Sequence, residues 1–530
     1  MVKEINISEL TTEQKLGMTM TAHVYQQSTE AESEENLEYA LNMIRKHALG
    51  AIWVDSRYRL EEVMSRIREA ADYPILIFTD AESGFDDYNI GKHNALACAD
   101  SEELAYIFGK ITAISARKAG YNVVCNPVLD MCKTNSVCGK TVRSMGSDKY
   151  RVAKLAAAEA RGMHDGGVLT VGKHYPSAGG DGEIDPHMAE STSYETEEQL
   201  LEYNLYPYLE LYKNGLLDGI MTQHCRFPNI DPEYPASLSQ KVINIIRDQG
   251  FDGFAITDAL VMMGTAAKFG AQACKGLAIG NGNDLALTWY ANKESYEAIL
   301  ASYNKGLISD ARLDEAVRRV LEAQHKTMSP PKFTDITETD ILQFNRINSD
   351  GVVSFTDEGY FTAIDTRGKH FFAVLTQNEV EISDDGKVNV DTFSKGWYQP
   401  QAIIQRLKTL FPNSEVFAIN QFPSPLQNVQ LLERSINYDD VIFVTYADSA
   451  AYIGRECLTS RIVSVIQALQ VTNRVSTVVH FGNPFVLEEL EHIPRILIGG
   501  CSLDSICCTL DVLAGNYPAK GHLPYELTLN

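Results

Sequence analysis

Asp258 closes the run Gly253-Phe254-Ala255-Ile256-Thr257-Asp258-Ala259-Leu260, where an apolar strand pattern runs straight into a carboxylate and then into a helix-like stretch. An aspartate at such a strand end can act as a nucleophile, ligate a metal or cap the next helix. Upstream lies Asp185-Pro186-His187, behind a loop rich in glycine (Gly179, Gly180, Gly182). In an Asp-x-His tripeptide the carboxylate reaches one ring nitrogen, fixes the tautomer and stabilises the imidazolium. The other nitrogen is then left to shuttle a proton. The plain alternative is an exposed loop that carries the tripeptide by chance. Further polar residues end apolar runs: Asp55, Asp80, Lys173 with His174, and His224, while Asp130 follows the run Asn122–Pro127 by three residues. Arg143 stands just before a helical stretch. Several of these are metal-ligand types, but no HxH, HExxH or Cys/His cluster is present, so neither metal nor other cofactor is expected. There is no Gly-x-Ser-x-Gly elbow or Walker loop, and Gly280-Asn281-Gly282-Asn283 does not follow a strand.

The elements that must position these groups alternate. Strand patterns are read at Gly17–Thr21, Ala51–Asp55, Ile75–Asp80, Asn122–Pro127, Val168–His174, Gly219–His224, Gly253–Asp258 and Asp284–Thr288. Helical patterns at Ser101–Ala119, Ser147–Asp165, Ser239–Gln249 and Asp310–Lys326 fall between several of them. The expected class is α/β: a TIM-like (β/α)8 barrel over 1–330, with a doubly wound open sheet as the alternative. In a barrel, polar residues at strand ends converge on one mouth. A break at Ser329-Pro330-Pro331 opens a linker over 331–345. A smaller α/β sandwich is expected over 346–530. Its strands are His370–Thr376, Glu415–Ile419, Asp440–Tyr446, Val475–Phe481 and Arg495–Ile498. Its helices are Pro400–Leu410, Leu458–Leu469 and Leu503–Leu513.

The 530 residues carry a formal net charge of −24, which repels phosphate backbones and argues against nucleic acid as a partner. No apolar run approaches the roughly 18 residues of a membrane span, and Met1–Ile5 has no apolar signal core. The ten cysteines form no CxxC pair and several lie in apolar stretches, as in a reduced cytoplasmic protein. A monomer or homodimer is expected.

Taken in order, these segments resemble glycoside hydrolase family 3, most closely its β-N-acetylglucosaminidase branch. The resemblance is carried by Asn126-Pro127-Val128-Leu129-Asp130, Arg143-Ser144-Met145-Gly146, Lys173-His174-Tyr175-Pro176 and Asp185-Pro186-His187. Met221-Thr222-Gln223-His224, Pro235-Ala236-Ser237-Leu238-Ser239 and the Gly253–Leu260 block complete it. It implies a retaining exo-glycosidase acting on a small carbohydrate with a terminal β-linked sugar. In it, Asp258 is the nucleophile and His187, oriented by Asp185, is the general acid/base. It also implies that Asp80, Asp130, Arg143, Lys173, His174 and His224 bind the substrate. A histidine acid has a reference pKa near 6.5, which a neighbouring carboxylate should raise, so it needs no deep burial to carry a proton at neutral pH. Once neutral, it admits phosphate as well as water to the glycosyl-enzyme.

Two departures touch the substrate. Ser177-Ala178-Gly179 replaces the branch's Gly-His-Gly, and Asp80-Ala81-Glu82-Ser83-Gly84-Phe85 lacks its arginine, which argues against an anhydromuramyl substrate. The resemblance leaves room for a β-glucosidase or xylosidase with its acid from the second domain, for which Glu456 is the candidate. A non-catalytic sugar binder on the same scaffold is the reading from another class.

Overall fold

The computed structural model describes residues 4–132, 140–177, 184–357, 359–376, 379–382, 388–391, 398–447 and 458–529. Two compact units emerge. The first comprises Met1–Tyr88, Ala105–Met131 and Asp148–Asp340; the second comprises Asn89–Leu104, Cys132–Ser147 and Ile341–Asn530. Thus two stretches within the first 150 residues group with the C-terminal part of the chain.

The first unit is an eight-stranded parallel barrel: β1 (Met20–Val24), β2 (Ala51–Val54), β3 (Leu76–Thr79), β4 (Val123–Val124), β5 (Leu169–Tyr175), β6 (Gly219–Thr222), β7 (Phe254–Thr257) and β8 (Ala286–Thr288). The hydrogen-bonded order is β7-β6-β5-β4-β3-β2-β1-β8. A bridge between Ile256 and Leu285 brings the two ends together, so the barrel is nearly closed, which an open doubly wound sheet would not be. Alternation along each strand builds the layers. Ala51 and Trp53, Leu76 and Phe78, Leu169 and Val171, and Phe254 and Ile256 share the inner cluster. Met20, Ala22, Val24, Ile52 and Val54 face outward, against Leu37, Leu41 and Ile44 of the helix Glu30–Arg45 and Val63 and Ile67 of the helix Leu60–Ala70.

The first strand is displaced from its expected position. Residues Thr12–Met18 are a helix with a Thr11/Gln14 capping box, and the strand begins at Met20. Gly17, read as a strand start, is a contact glycine: a Cβ there would collide with the Ala48 carbonyl. β4 is only two residues long, because the chain leaves regular pairing at Asn126-Pro127.

The second unit holds a mixed six-stranded sheet: β9 (Val353–Thr356), β10 (His370–Thr376), β11 (Glu415–Asn420), β12 (Asp440–Ala447), β13 (Val475–Gly482) and β14 (Arg495–Gly499), in the order β9-β14-β13-β12-β10-β11. β9 is antiparallel to β14 and the other pairs are parallel. Both faces are covered. Phe371, Ala373 and Leu375 pack with Ile462, Val465 and Ile466 of the helix Ser460–Gln470. Phe372 and Val374 pack with Ile403 and Leu407 of Pro400–Leu410 and with Ile506 and Leu510 of Leu503–Leu513. The stretch read as a linker runs into a helix at Glu338–Asp350. Among the described residues no helix is long and apolar enough to cross a membrane.

Candidate active site

The inward parity of the barrel continues past its apolar rows. Two residues beyond Phe78, Val171 and Ile256 stand Asp80, Lys173 and Asp258, so three chemistry-bearing side chains share one layer at the carboxyl ends of β3, β5 and β7.

Lys173 is buried and bridges two carboxylates, Asp80 and, at 2.6 Å, Glu82. The register of β5 against β6 slips between Lys173, which pairs with Met221, and Tyr175, which pairs with Thr222. The extra residue is His174, so this bulge lets two consecutive side chains both reach acids. His174 Nδ1 lies 2.6 Å from Asp130 Oδ2. The irregular stretch after β4 delivers that aspartate: the amides of Val171 and Lys173 donate to the carbonyls of Asn126 and Pro127, and Leu129 N–H donates back to the Lys173 carbonyl. Gln223 Nε2 fixes the His174 carbonyl at 3.1 Å.

Asp185 and His187 form the expected pair. Asp185 Oδ1 accepts from both the His187 amide and Nδ1, each at 2.8 Å, with the Asp185 side chain buried and the imidazole about a quarter exposed (23%). The pair is fastened beside the nucleophile candidate. Met263 N–H donates to the His187 carbonyl and Gly264 N–H to the Pro186 carbonyl, at the start of the helix Met263–Phe269 that follows β7.

The Asp258 amide donates to the Thr222 carbonyl, and its Oδ1 accepts the Ala259 amide at 2.7 Å. Burial pushes this carboxyl up, but His174, His224, His187 and the Ala259 amide outweigh it, and the net shift is below the ordinary carboxylate value. The group is thus held ionised, as a nucleophile must be.

His224, expected to grip substrate, is fully buried with both ring nitrogens engaged by the protein. Nδ1 meets Ser237 Oγ at 2.7 Å and Nε2 meets the Ala259 carbonyl at 2.9 Å. Burial lowers its pKa despite the opposing pull of Asp258, and Nε2–H donates to the Ala259 carbonyl. Its place is under the turn that carries Asp258. Arg143 ends the short helix Lys140–Arg143 of the second unit, where its carbonyl accepts from His93 Nδ1 at 3.1 Å. Glu456 and the glycines at 179, 180 and 182 lie outside the described residues.

Three features escaped the sequence reading. Glu82 is the second acid on Lys173. Gly264 is the seat of the dyad loop. A cluster of His23, Tyr25 and Trp289 stands at the ends of β1 and β8, with ring centroids 4.7–5.1 Å apart. For Glu82, the Asp-x-Glu spacing after β3 was the available signal.

With this geometry in view, residues 11–323 match the model of the glycosyl hydrolase family 3 N-terminal domain, and the chain belongs to that family. A β-hexosaminidase of Idiomarina loihiensis is 31% identical over 218 residues, 39% of this chain and 64% of that protein; the chain thus spans just under two thirds of its length. One from Tolumonas auensis is 30% identical over 241 residues, 44% of this chain and 71% of that protein. In fold, the chain is similar to a family 3 β-N-acetylglucosaminidase from Paenibacillus sp. str. FPU-7, with a TM-score of 0.79 and 24% identity over 98% of this chain and 100% of that one.

Proposed function

We propose that this protein is a retaining exo-β-glycosidase that removes terminal β-linked N-acetylglucosamine. The observation that carries the reading is the Asp185–His187 pair tied by backbone hydrogen bonds to the helix following Asp258. In the first step Asp258 Oδ2 bonds to the anomeric carbon as the bond to the leaving oxygen breaks. That oxygen takes the Nε2 proton of His187, while Asp185 holds Nδ1–H. In the second step Nε2 takes a proton from water, the water oxygen bonds to the same carbon, and the ester to Asp258 breaks. Asp80, Asp130, Lys173 and His174 hold the sugar hydroxyls, and His224 supports the Asp258 turn.

The test is a panel of aryl β-glycosides (N-acetylglucosaminide, glucoside, xyloside) with and without phosphate, with the product anomer followed by NMR. The reading expects the N-acetylglucosaminide to be cleaved with net retention and His187→Ala to abolish turnover. Preferred cleavage of glucoside by an enzyme indifferent to His187→Ala would replace it with the second-domain-acid alternative. A β-glycosyl phosphate would not appear in this assay from an inverting enzyme of the same specificity, so the anomer and the acceptor are read together.

A further inference from the structure

The mouth of the barrel is chemically divided. Apart from Asp258 after β7, the polar groups Asp80, Glu82, Asp130, Lys173 and His174 come from the ends of β3, β4 and β5. Beyond β7 the sheet continues to β8 and then β1, and there the inward layer is aromatic. Trp289 follows Leu287 in parity and packs on the inner cluster that includes Ala259 and Met262, on either side of the turn after Asp258. Its ring centroid lies 5.1 Å from Tyr25 and 4.8 Å, edge-on, from His23. The neighbouring Tyr290 is 46% exposed. Burial, opposed by Asp55, lowers the His23 pKa to about 4, so this ring is uncharged at neutral pH. Asp55 is itself paired with Arg57 at 2.8 Å.

A proton donor marks the side of the bond on which the leaving group lies, because that oxygen receives its proton. His187 is fastened to the start of the helix after β7, next to β8 in the barrel. We infer that Trp289, Tyr290 and Tyr25 form the leaving-group subsite, and that it selects a neutral leaving group with a flat apolar face, such as a second hexopyranose or an aryl ring. Stacking on indole and phenol rings suits such a face, and the phenol hydroxyls can meet its rim. The inference rests on His187 being the acid.

The test compares kcat/KM for N,N′-diacetylchitobiose, which fills both subsites, with that for N-acetyl-β-D-glucosaminyl fluoride, whose leaving group is a single atom. In Trp289→Ala the disaccharide-to-fluoride ratio is expected to fall about ten-fold, in Tyr290→Ala by a smaller factor in the same direction, and in Trp289→Phe to recover most of the loss. A ratio unchanged from wild type in Trp289→Ala overturns the inference. Should Trp289→Ala fail to fold, an unchanged ratio in Tyr290→Ala overturns it. A wild-type enzyme that cleaves neither substrate removes the glycosidase reading itself, and the inference falls with it.

Discussion

The amide of Gly264 donates to the carbonyl of Pro186 at 2.9 Å, so the loop bearing the proposed acid/base is seated on the first turn after the strand of the proposed nucleophile. The seat has no room for a side chain. A Cβ at 264 would lie 2.8 Å from the Pro186 oxygen and 2.9 Å from that of Ala189. Gly264→Ala must therefore shift the loop by tenths of an ångström. Misplacement of a reacting group by about 1 Å can cost about 100-fold, so a ten-fold or greater fall in kcat on an aryl N-acetylglucosaminide is expected, with melting temperature little changed. An unaltered kcat would show that the seat does not set the acid's position.

Glu82 offers a second check, on a residue that touches Lys173. Its carboxylate lies 2.6 Å from the buried ammonium that also holds Asp80. Glu82→Gln keeps the shape and removes the charge. A charge-assisted hydrogen bond is worth about 1.5–3 kcal/mol, so a loosened Lys173 is expected to raise KM about ten-fold and to lower kcat less. A merely structural carboxylate would lower the melting temperature and leave KM alone.

The pH profile follows from Asp258. Burial raises its pKa, but three imidazoles and the Ala259 amide reverse the sign, and the net value falls below that of an ordinary aspartate. A nucleophile with a depressed pKa is active above that pKa and loses activity as pH falls through it. The acid limb of kcat/KM should therefore lie below about pH 4, the ordinary range for aspartate. His174 is the largest of the lowering influences, so His174→Gln should move the limb upward, whatever it does to the plateau. An acid limb at about pH 5 or above that stays put in His174→Gln would contradict the assignment.

The parts legible in the sequence were those set by local pattern. Barrel strands such as Phe254–Thr257 show as apolar runs ending in a polar residue, and the Asp185–His187 contact spans only two positions. What the sequence did not reveal was set by distant partners. His224 stands at a strand end like Lys173, yet its ring is consumed by Ser237 and Ala259, which no spacing reveals. His23, Tyr25 and Trp289 meet only because the first and last strands of the barrel pair. In the second unit the helix Pro425–Ser435 was missed because Leu426, Val429 and Leu432 on its exposed side blur the amphipathic pattern. β9 was missed because its four residues are a strand only through antiparallel pairing with β14.

The opposite end of the barrel provides a prediction about stability alone. Asp284, fully buried just before β8, meets Arg247 at 2.9 Å, Arg312 at 2.5 Å and Arg319 at 3.4 Å, and accepts the Ala255 amide of β7 at 2.9 Å. Removing one partner of a buried ion pair leaves the others desolvated and uncompensated, at a cost of about 3–5 kcal/mol. Here a single carboxylate faces three guanidinium groups, and Glu315 and Asp252 relieve only Arg312 and Arg319. Asp284→Asn, which preserves shape and the bond to Ala255, should therefore lower the free energy of unfolding by that order in urea titration. Because the cluster lies at the amino ends of the strands, away from the mouth, kcat/KM per folded molecule should stay at the wild-type value below the transition. A variant with wild-type stability would mean that the three arginines find other compensation. A folded variant with impaired kcat/KM would mean that the two ends of the barrel are coupled through β7 and β8.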